Sequence, residues 1–135
     1  MSVSDFEASN KFYVNLLGFK IEYDRGEGKE HKFAFLSYEG SQLMLDEGNN
    51  NVNSSWYTGK LEYPRGRGIH LQIEVQDINH LVEVLNKNNY PIKEMPKEHW
   101  YRQEDKMLGM LCLLVMDPDG YLIMFHKSLG SKKVK

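Results

Sequence analysis

Residues 68–77, Gly68-Ile69-His70-Leu71-Gln72-Ile73-Glu74-Val75-Gln76-Asp77, alternate between apolar and polar positions. Successive side chains leave opposite faces of a strand, so a period of two marks a strand with one buried face. Ile69, Leu71, Ile73 and Val75 form the row that needs a cover, and His70, Gln72 and Glu74 form the row that looks outward. Asp77 then stands where a helix cap belongs, and Ile78, Leu81, Val82 and Leu85 recur at helical spacing along one face. Asn88-Asn89-Tyr90-Pro91 ends that helix. Ile92–Met95 reads as a short strand, Lys97–Lys106 as a polar, aromatic loop, and Gly109–Met116 as a strongly apolar strand. Asp117-Pro118-Asp119-Gly120 places proline and glycine where a turn wants them, and Tyr121–His126 is the last strand.

A similar order precedes it. Ser4-Asp5-Phe6-Glu7 fits a capping box with Ser4 as the cap. The helix that follows puts Phe6, Tyr13, Leu16 and Leu17 inside and Glu7, Lys11 and Asn15 outside, and Gly18 stops it. Phe19–Tyr23 alternates as a strand, and Asp24–Lys32, with Gly26 and Gly28, is a charged turn. Phe33–Tyr38 and Gln42–Asp46 are strands joined at Glu39-Gly40. From there to residue 68 no periodicity survives. A structureless connection of this length is uncommon in a compact domain and is usually a linker or a functional lid. Trp56 and Tyr57 at its centre suit a lid, or a loop folded back on the core by its aromatics.

The chain is an internal repeat. Val3-Ser4-Asp5-Phe6 mirrors Val75-Gln76-Asp77-Ile78, and Phe19-Lys20-Ile21-Glu22 mirrors Pro91-Ile92-Lys93-Glu94. Glu39-Gly40-Ser41-Gln42-Leu43-Met44-Leu45 mirrors Asp119-Gly120-Tyr121-Leu122-Ile123-Met124-Phe125. Each half reads strand, helix, strand, strand, strand. Neither half alone would bury its sheet, so two must pair, leaving a cleft between curved sheets.

This arrangement resembles the vicinal oxygen chelate superfamily of glyoxalases, extradiol dioxygenases and bleomycin-resistance proteins, and most of all the bleomycin-resistance-like branch. The resemblance is carried by Val3-Ser4-Asp5 through Leu17-Gly18-Phe19-Lys20, by Glu62-Tyr63-Pro64-Arg65-Gly66-Arg67-Gly68, by Trp100-Tyr101-Arg102, and by Asp117-Pro118-Asp119-Gly120-Tyr121-Leu122-Ile123. It implies an α+β fold of two paired βαβββ modules forming a curved mixed sheet with a concave cleft, in a homodimer. The expected organisation is one domain over 1–135: a module at 1–47, a lid or linker at 48–68, a module at 69–127, and a basic tail at 128–135. The first half departs from the pattern, because only Met1 and Ser2 precede its Val3. Its first strand is therefore expected to be short, with an open edge on its partner.

Metal-dependent members of the superfamily take ligands from the first and last strands of each module. His70 falls on such a position, but the last-strand positions hold Met44 and Met124. A thioether is a poor ligand for Zn, Fe, Ni or Mn, which want imidazole and carboxylate. Asp46, Gln72, Glu74 and His126 share the cleft-facing parity, yet each lies two residues from a matching position, roughly 6–7 Å away at strand rise. The expectation is a site without metal and without catalysis. His70, Gln72, Glu74 and Asp46 would supply polar contacts, Met44 and Met124 adaptable walls, and Trp56, Trp100 and Tyr101 stacking surfaces for a planar or cationic ligand. His70 paired only with a neighbour such as Gln72, or Trp100 packed on the core edge, are the plainer readings. The alternative is a metal-dependent glyoxalase-like lyase or extradiol-type dioxygenase using Zn, Ni, Mn or Fe, and a third reading is a regulatory metabolite- or protein-binding domain.

Composition narrows this further. Of 135 residues, 41% are hydrophobic and 12% aromatic, ordinary for a packed domain. A net charge of −2 argues against a nucleic-acid partner, and the cluster Lys132, Lys133 and Lys135 reads as solvated tail. No apolar run approaches the roughly 20 residues that span a bilayer. A lone Cys112 within the apolar run Leu111–Val115 reads as an inert thiol in a reducing, cytoplasmic compartment. Arg65 and Arg67 could reach an anion, though loop arginines are usually only solvated. No Ser/His/Asp order has a nucleophile turn, and Gly66-Arg67-Gly68 is too short for a phosphate loop.

Overall fold

The computed structural model describes residues 1–24, 32–48 and 55–134, and it divides into two units. The first is Met1–Gly68 with Asp117–Tyr121, and the second is Ile69–Met116 with Leu122–Lys135. The expected charged turn around Gly26 and Gly28, the asparagine-rich start of the long connection, and Lys135 lie outside the described residues.

In the first unit, helix α1 (Phe6–Asn10) runs directly into a π-helical segment, Lys11–Leu16. The cap is Asp5 rather than Ser4: its carboxylate accepts from the Ala8 N–H at 3.1 Å. A carboxylate suits the positive end of a helix better than a hydroxyl does. Ser4 instead gives its N–H to Asp119, and Glu7 pairs with Lys32, so the reciprocal box does not form. The Leu17 N–H bonds to the Phe12 carbonyl, five residues back, which rotates the face presented by the last turn. Ser9, Phe12, Tyr13 and Leu17 are buried as a result, while Phe6 and Leu16 are only partly covered. Gly18 ends the segment at φ +89°.

Strands β1 (Lys20–Asp24), β2 (Lys32–Tyr38) and β3 (Ser41–Glu47) form an antiparallel sheet in that order. Outside β3, Ser2 bridges Asp46 in parallel, with the Val3 N–H on the Asp46 carbonyl and the Asp46 N–H on that of Met1, both at 3.0 Å. The first strand of this half is thus present as a single short pairing. Ala34, Leu36 and Leu45 are fully buried. Phe33, Phe35, Met44 and Asp46 share the opposite face through the β2–β3 register.

The second unit carries β4 (His70–Glu74), α2 (Ile78–Lys87), β5 (Glu94–Gln103), β6 (Lys106–Met116) and β7 (Leu122–Lys133). Its sheet order is β4-β7-β6-β5, with β4 parallel to β7 and the other pairs antiparallel. The Val75 N–H bonds to the His126 carbonyl at 2.9 Å, as Val3 does to Asp46, so the repeat extends to backbone pairing. Asp77 caps α2 through the His80 N–H at 3.0 Å. Ile78, Leu81 and Leu85 of α2 are buried, as are Ile73, Val75, Leu113, Val115, Ile123 and Phe125 on one face of the sheet. Ile69 lies just outside β4 and is 60% exposed, so it does not join the buried row.

Two stretches differ from expectation. The polar segment after Lys97 is strand, and its turn is only Glu104-Asp105. The last strand continues to Lys133, so most of the expected tail is paired. In both cases β6 supplies the reason: its backbone pairs with β5 on one side from Lys106 to Leu114 and with β7 on the other from Lys106 to Met116, each ladder with one irregularity. That main-chain pairing does not depend on apolar side chains.

The Asp117-Pro118-Asp119-Gly120 turn forms as expected, and it belongs to the first unit. Buried Asp117 accepts from the Tyr13 hydroxyl at 2.7 Å and from the N–H groups of Asp119 and Tyr121 at 2.9 Å. Arg65 holds this turn, with its N–H on the Asp119 carbonyl at 2.9 Å and its guanidinium 3.7 Å from the Asp119 carboxylate. Gly120 has φ +80°, and a Cβ there would sit 2.6 Å from Pro64 Cα, so only glycine fits.

Candidate functional site

The sheet of the second unit has one face under α2 and one that is not apolar throughout. Register settles which residues share the second face. His70 pairs with Leu122, Gln72 with Met124, and Glu74 with His126. Across the next ladder Met116 pairs with Leu122, Leu114 with Met124, and Cys112 with His126. Paired residues point the same way, so the polar row expected from β4 borders a floor of Leu114, Met116, Leu122 and Met124. His70, Gln72 and Glu74 are exposed and the floor is half-buried. Glu94, opposite Leu114, and Lys97, opposite Cys112, close the far edge.

His70 meets Gln72 at 3.2 Å between Nε2 atoms, the pairing that the plainer reading of this histidine anticipated. His126 Nδ1 is buried and has no hydrogen-bond partner among the described residues. Cys112 is buried, and burial together with the nearby Glu94 carboxylate pushes its thiol above its ordinary range.

The aromatic residues separate. Tyr101 is on the His70 side of the sheet, since it pairs with Leu108, in step with Met110 and Cys112. It is 51% exposed and its ring lies 6.1 Å from that of His99, at 16°. Trp100 is one residue out of step and faces the opposite side, opposite Gly109. Its indole rests on that glycine, where a Cβ would come within 2.5 Å of the ring, and Lys132 Nζ lies over the ring at 4.0 Å. It therefore packs within the sheet and does not line the face that carries His70. Trp56 is 91% exposed in the connection before β4. Met44 and Asp46 lie on the open face of the first unit, beside Phe35 and Phe33 in the register, with Met44 51% exposed.

The sequence did not reveal Leu114, Met116 or Cys112 as part of this face. Residues 110–116 are apolar at every position, so their parity has no signal until a partner strand fixes it. Arg65 proves to be committed to Asp119 and to the Ser2 carbonyl, at 3.2 Å, and is not free for an anionic ligand.

The residues at the superfamily's metal positions do not fit a divalent ion that prefers oxygen and imidazole. Met44 and Met124 hold the last-strand positions, and His70 is already paired with Gln72. Among the described residues no group of three His, Cys, Asp or Glu side chains stands together as a ligand set.

A family model described as the Glyoxalase/Bleomycin resistance protein/Dioxygenase superfamily matches residues 1–125. Among solved structures, a glyoxalase/bleomycin resistance protein/dioxygenase from Nocardioides is similar at 21% identity and a TM-score of 0.66, over 100% of this chain and 83% of that one. A protein from the mobile metagenome of V. pseudocholerae is similar at 20% identity and 0.65, over 94% and 88%. A virulence protein from Salmonella typhimurium follows at 21% and 0.61, over 94% and 90%. At these identities the likeness is one of fold. No curated protein matches the chain.

Proposed function

The chain belongs to the glyoxalase/bleomycin resistance protein/dioxygenase superfamily, and on that premise we propose that it binds a small organic cation and sequesters it without chemistry. The observation that carries this reading is the open face of the second sheet. There the polar row His70, Gln72 and Glu74 borders a half-buried floor of Leu114, Met116, Leu122 and Met124. Methionine and leucine adapt to irregular apolar outlines, and the Glu74 carboxylate in the polar row favours a positive charge. Tyr101 and His99 extend the face with a stacked pair of rings. Catalysis of the superfamily's metal-dependent kind asks for carboxylate or imidazole where Met44 and Met124 stand.

The same reading makes the protein a cytoplasmic homodimer that protects by binding, in the manner of bleomycin resistance. No helix among the described residues is long and apolar enough to cross a membrane, and Cys112 is a free thiol.

The test is a thermal-shift screen of cationic glycopeptides of the bleomycin type and of planar organic cations, followed by calorimetry on any hit. A ligand present at 100 times its dissociation constant should stabilise the fold by about 2.7 kcal/mol. Replacing His70→Ala and Glu74→Gln together should weaken binding at least tenfold while leaving the free protein's melting unchanged. Equal binding by that double variant would overturn the assignment of this face.

A further inference from the structure

The mismatch at the last-strand position of the second module is itself informative, because the donor that stands there, Met124, is soft. We propose that Cys112, His126 and Met124 form a site for a soft monovalent cation, with copper(I) as the physiological class.

Cys112 and His126 are direct partners across the β6–β7 ladder, and Met124 is two residues from His126 on the same face. Directly opposed side chains in an antiparallel pair have Cβ atoms about 4.5–5.5 Å apart, which lets a thiol sulfur and an imidazole nitrogen reach one ion between them. The next residue on the same face is roughly 7 Å along the strand, within the span of the long, flexible methionine side chain. Thiolate, thioether and imidazole together are a donor set that selects copper(I) over calcium, magnesium or manganese.

A second observation points to a ligand independently of the cysteine. His126 Nδ1 is buried and unpartnered among the described residues. A buried ring nitrogen left without a partner is costly, and an ion at that atom would remove the cost. Glu74 is His126's register partner on the other side, so a carboxylate neighbours the ring on the same face. The thiol is buried while the thioether and imidazole are half-buried, so an ion would enter from the open side of the sheet.

Binding is an exchange without electron transfer. The Cys112 S–H bond breaks, its proton leaves to solvent, and the sulfur's electron pair forms the bond to the metal ion. Ions are taken up and released as copper(I), with no change of oxidation state.

The experiment uses the full chain, freed of metal. Silver(I), a redox-inert stand-in, is titrated by calorimetry. Copper(I) is then titrated anaerobically against the chromophoric chelator bicinchoninate. The expected result is one ion per chain, with affinity lowered at least tenfold by Cys112→Ser and by Met124→Leu, and unchanged by Met95→Leu, an exposed methionine elsewhere. Circular dichroism and urea unfolding confirm that each variant folds. Met124→Leu is the decisive variant, since it keeps the apolar volume of the floor and removes only the thioether. Sub-stoichiometric binding, or full affinity in both Cys112→Ser and Met124→Leu, would overturn the site. The organic-ligand reading fails separately: it depends on His70, which is no part of the proposed ion site, so His70→Ala should weaken organic-ligand binding while leaving silver(I) affinity unchanged.

Discussion

Asp117 shows how much one carboxylate can organise. It takes one hydroxyl and two backbone N–H groups while being almost wholly buried. Burial lifts its carboxyl above the ordinary range, the neighbouring Asp119 charge adds to this, and the bonds from Tyr13, Tyr121 and Asp119 partly offset it. A pKa raised on folding means that the folded chain holds this proton more tightly than the unfolded chain. The stability it contributes is therefore full below about pH 4 and is lost as pH rises through the raised value. Asp117→Asn cannot titrate, yet it keeps an oxygen for the two N–H groups. Urea midpoints of the two proteins should thus shift in the variant's favour between pH 4 and pH 7, and a gap that stays constant with pH would refute the argument. The turn itself was legible from Asp117-Pro118-Asp119-Gly120. The bond from Tyr13 was not, because its partner lies 104 residues away and no local pattern encodes it.

At the scale of elements, alternation was a reliable guide where one face is polar, and β4 and the α2 cap were readable for that reason. It failed in β5, whose sequence EMPKEHWYRQ is polar on both faces and owes its conformation to pairing with β6. It also failed for side-chain direction inside β5, where Trp100 was expected among the stacking surfaces of the ligand face and its parity puts it on the other. Once β5 is a strand, the Trp100–Gly109 contact becomes a structural requirement: the ring fills the space a glycine leaves in the sheet. Gly109→Ala should displace the indole and destabilise the fold by about 1–3 kcal/mol, as overpacking does. Tryptophan emission should move to the red at the same time. Trp56, 91% exposed, already emits there, so the change reports Trp100. Unchanged emission and urea midpoint would show that the ring is not held against Gly109.

Across the whole molecule, the repeat foretold two βαβββ halves, and the structure divides into two units. It did not foretell that the units are interleaved. Asp117–Tyr121 lies between strands of the second unit and belongs to the first, where it receives Tyr13, Ser4 and Arg65. A fragment of residues 1–68 would therefore leave the buried Tyr13 hydroxyl without its acceptor. Expressed alone it should show no cooperative unfolding, and mixed with residues 69–135 it should regain native circular dichroism. Cooperative melting of the isolated fragment would contradict this.

That interleaving bears on how such a chain evolves. A tandem gene duplication yields two copies that can be lost, swapped or fused to other partners, as long as each folds alone. Here a five-residue segment encoded in the later copy completes the earlier one. Recombination at the joint between residues 68 and 69 would leave the first copy without the carboxylates that receive Tyr13, Ser4 and Arg65, so its ligand face can diverge only while Asp117 and Asp119 stay attached to it.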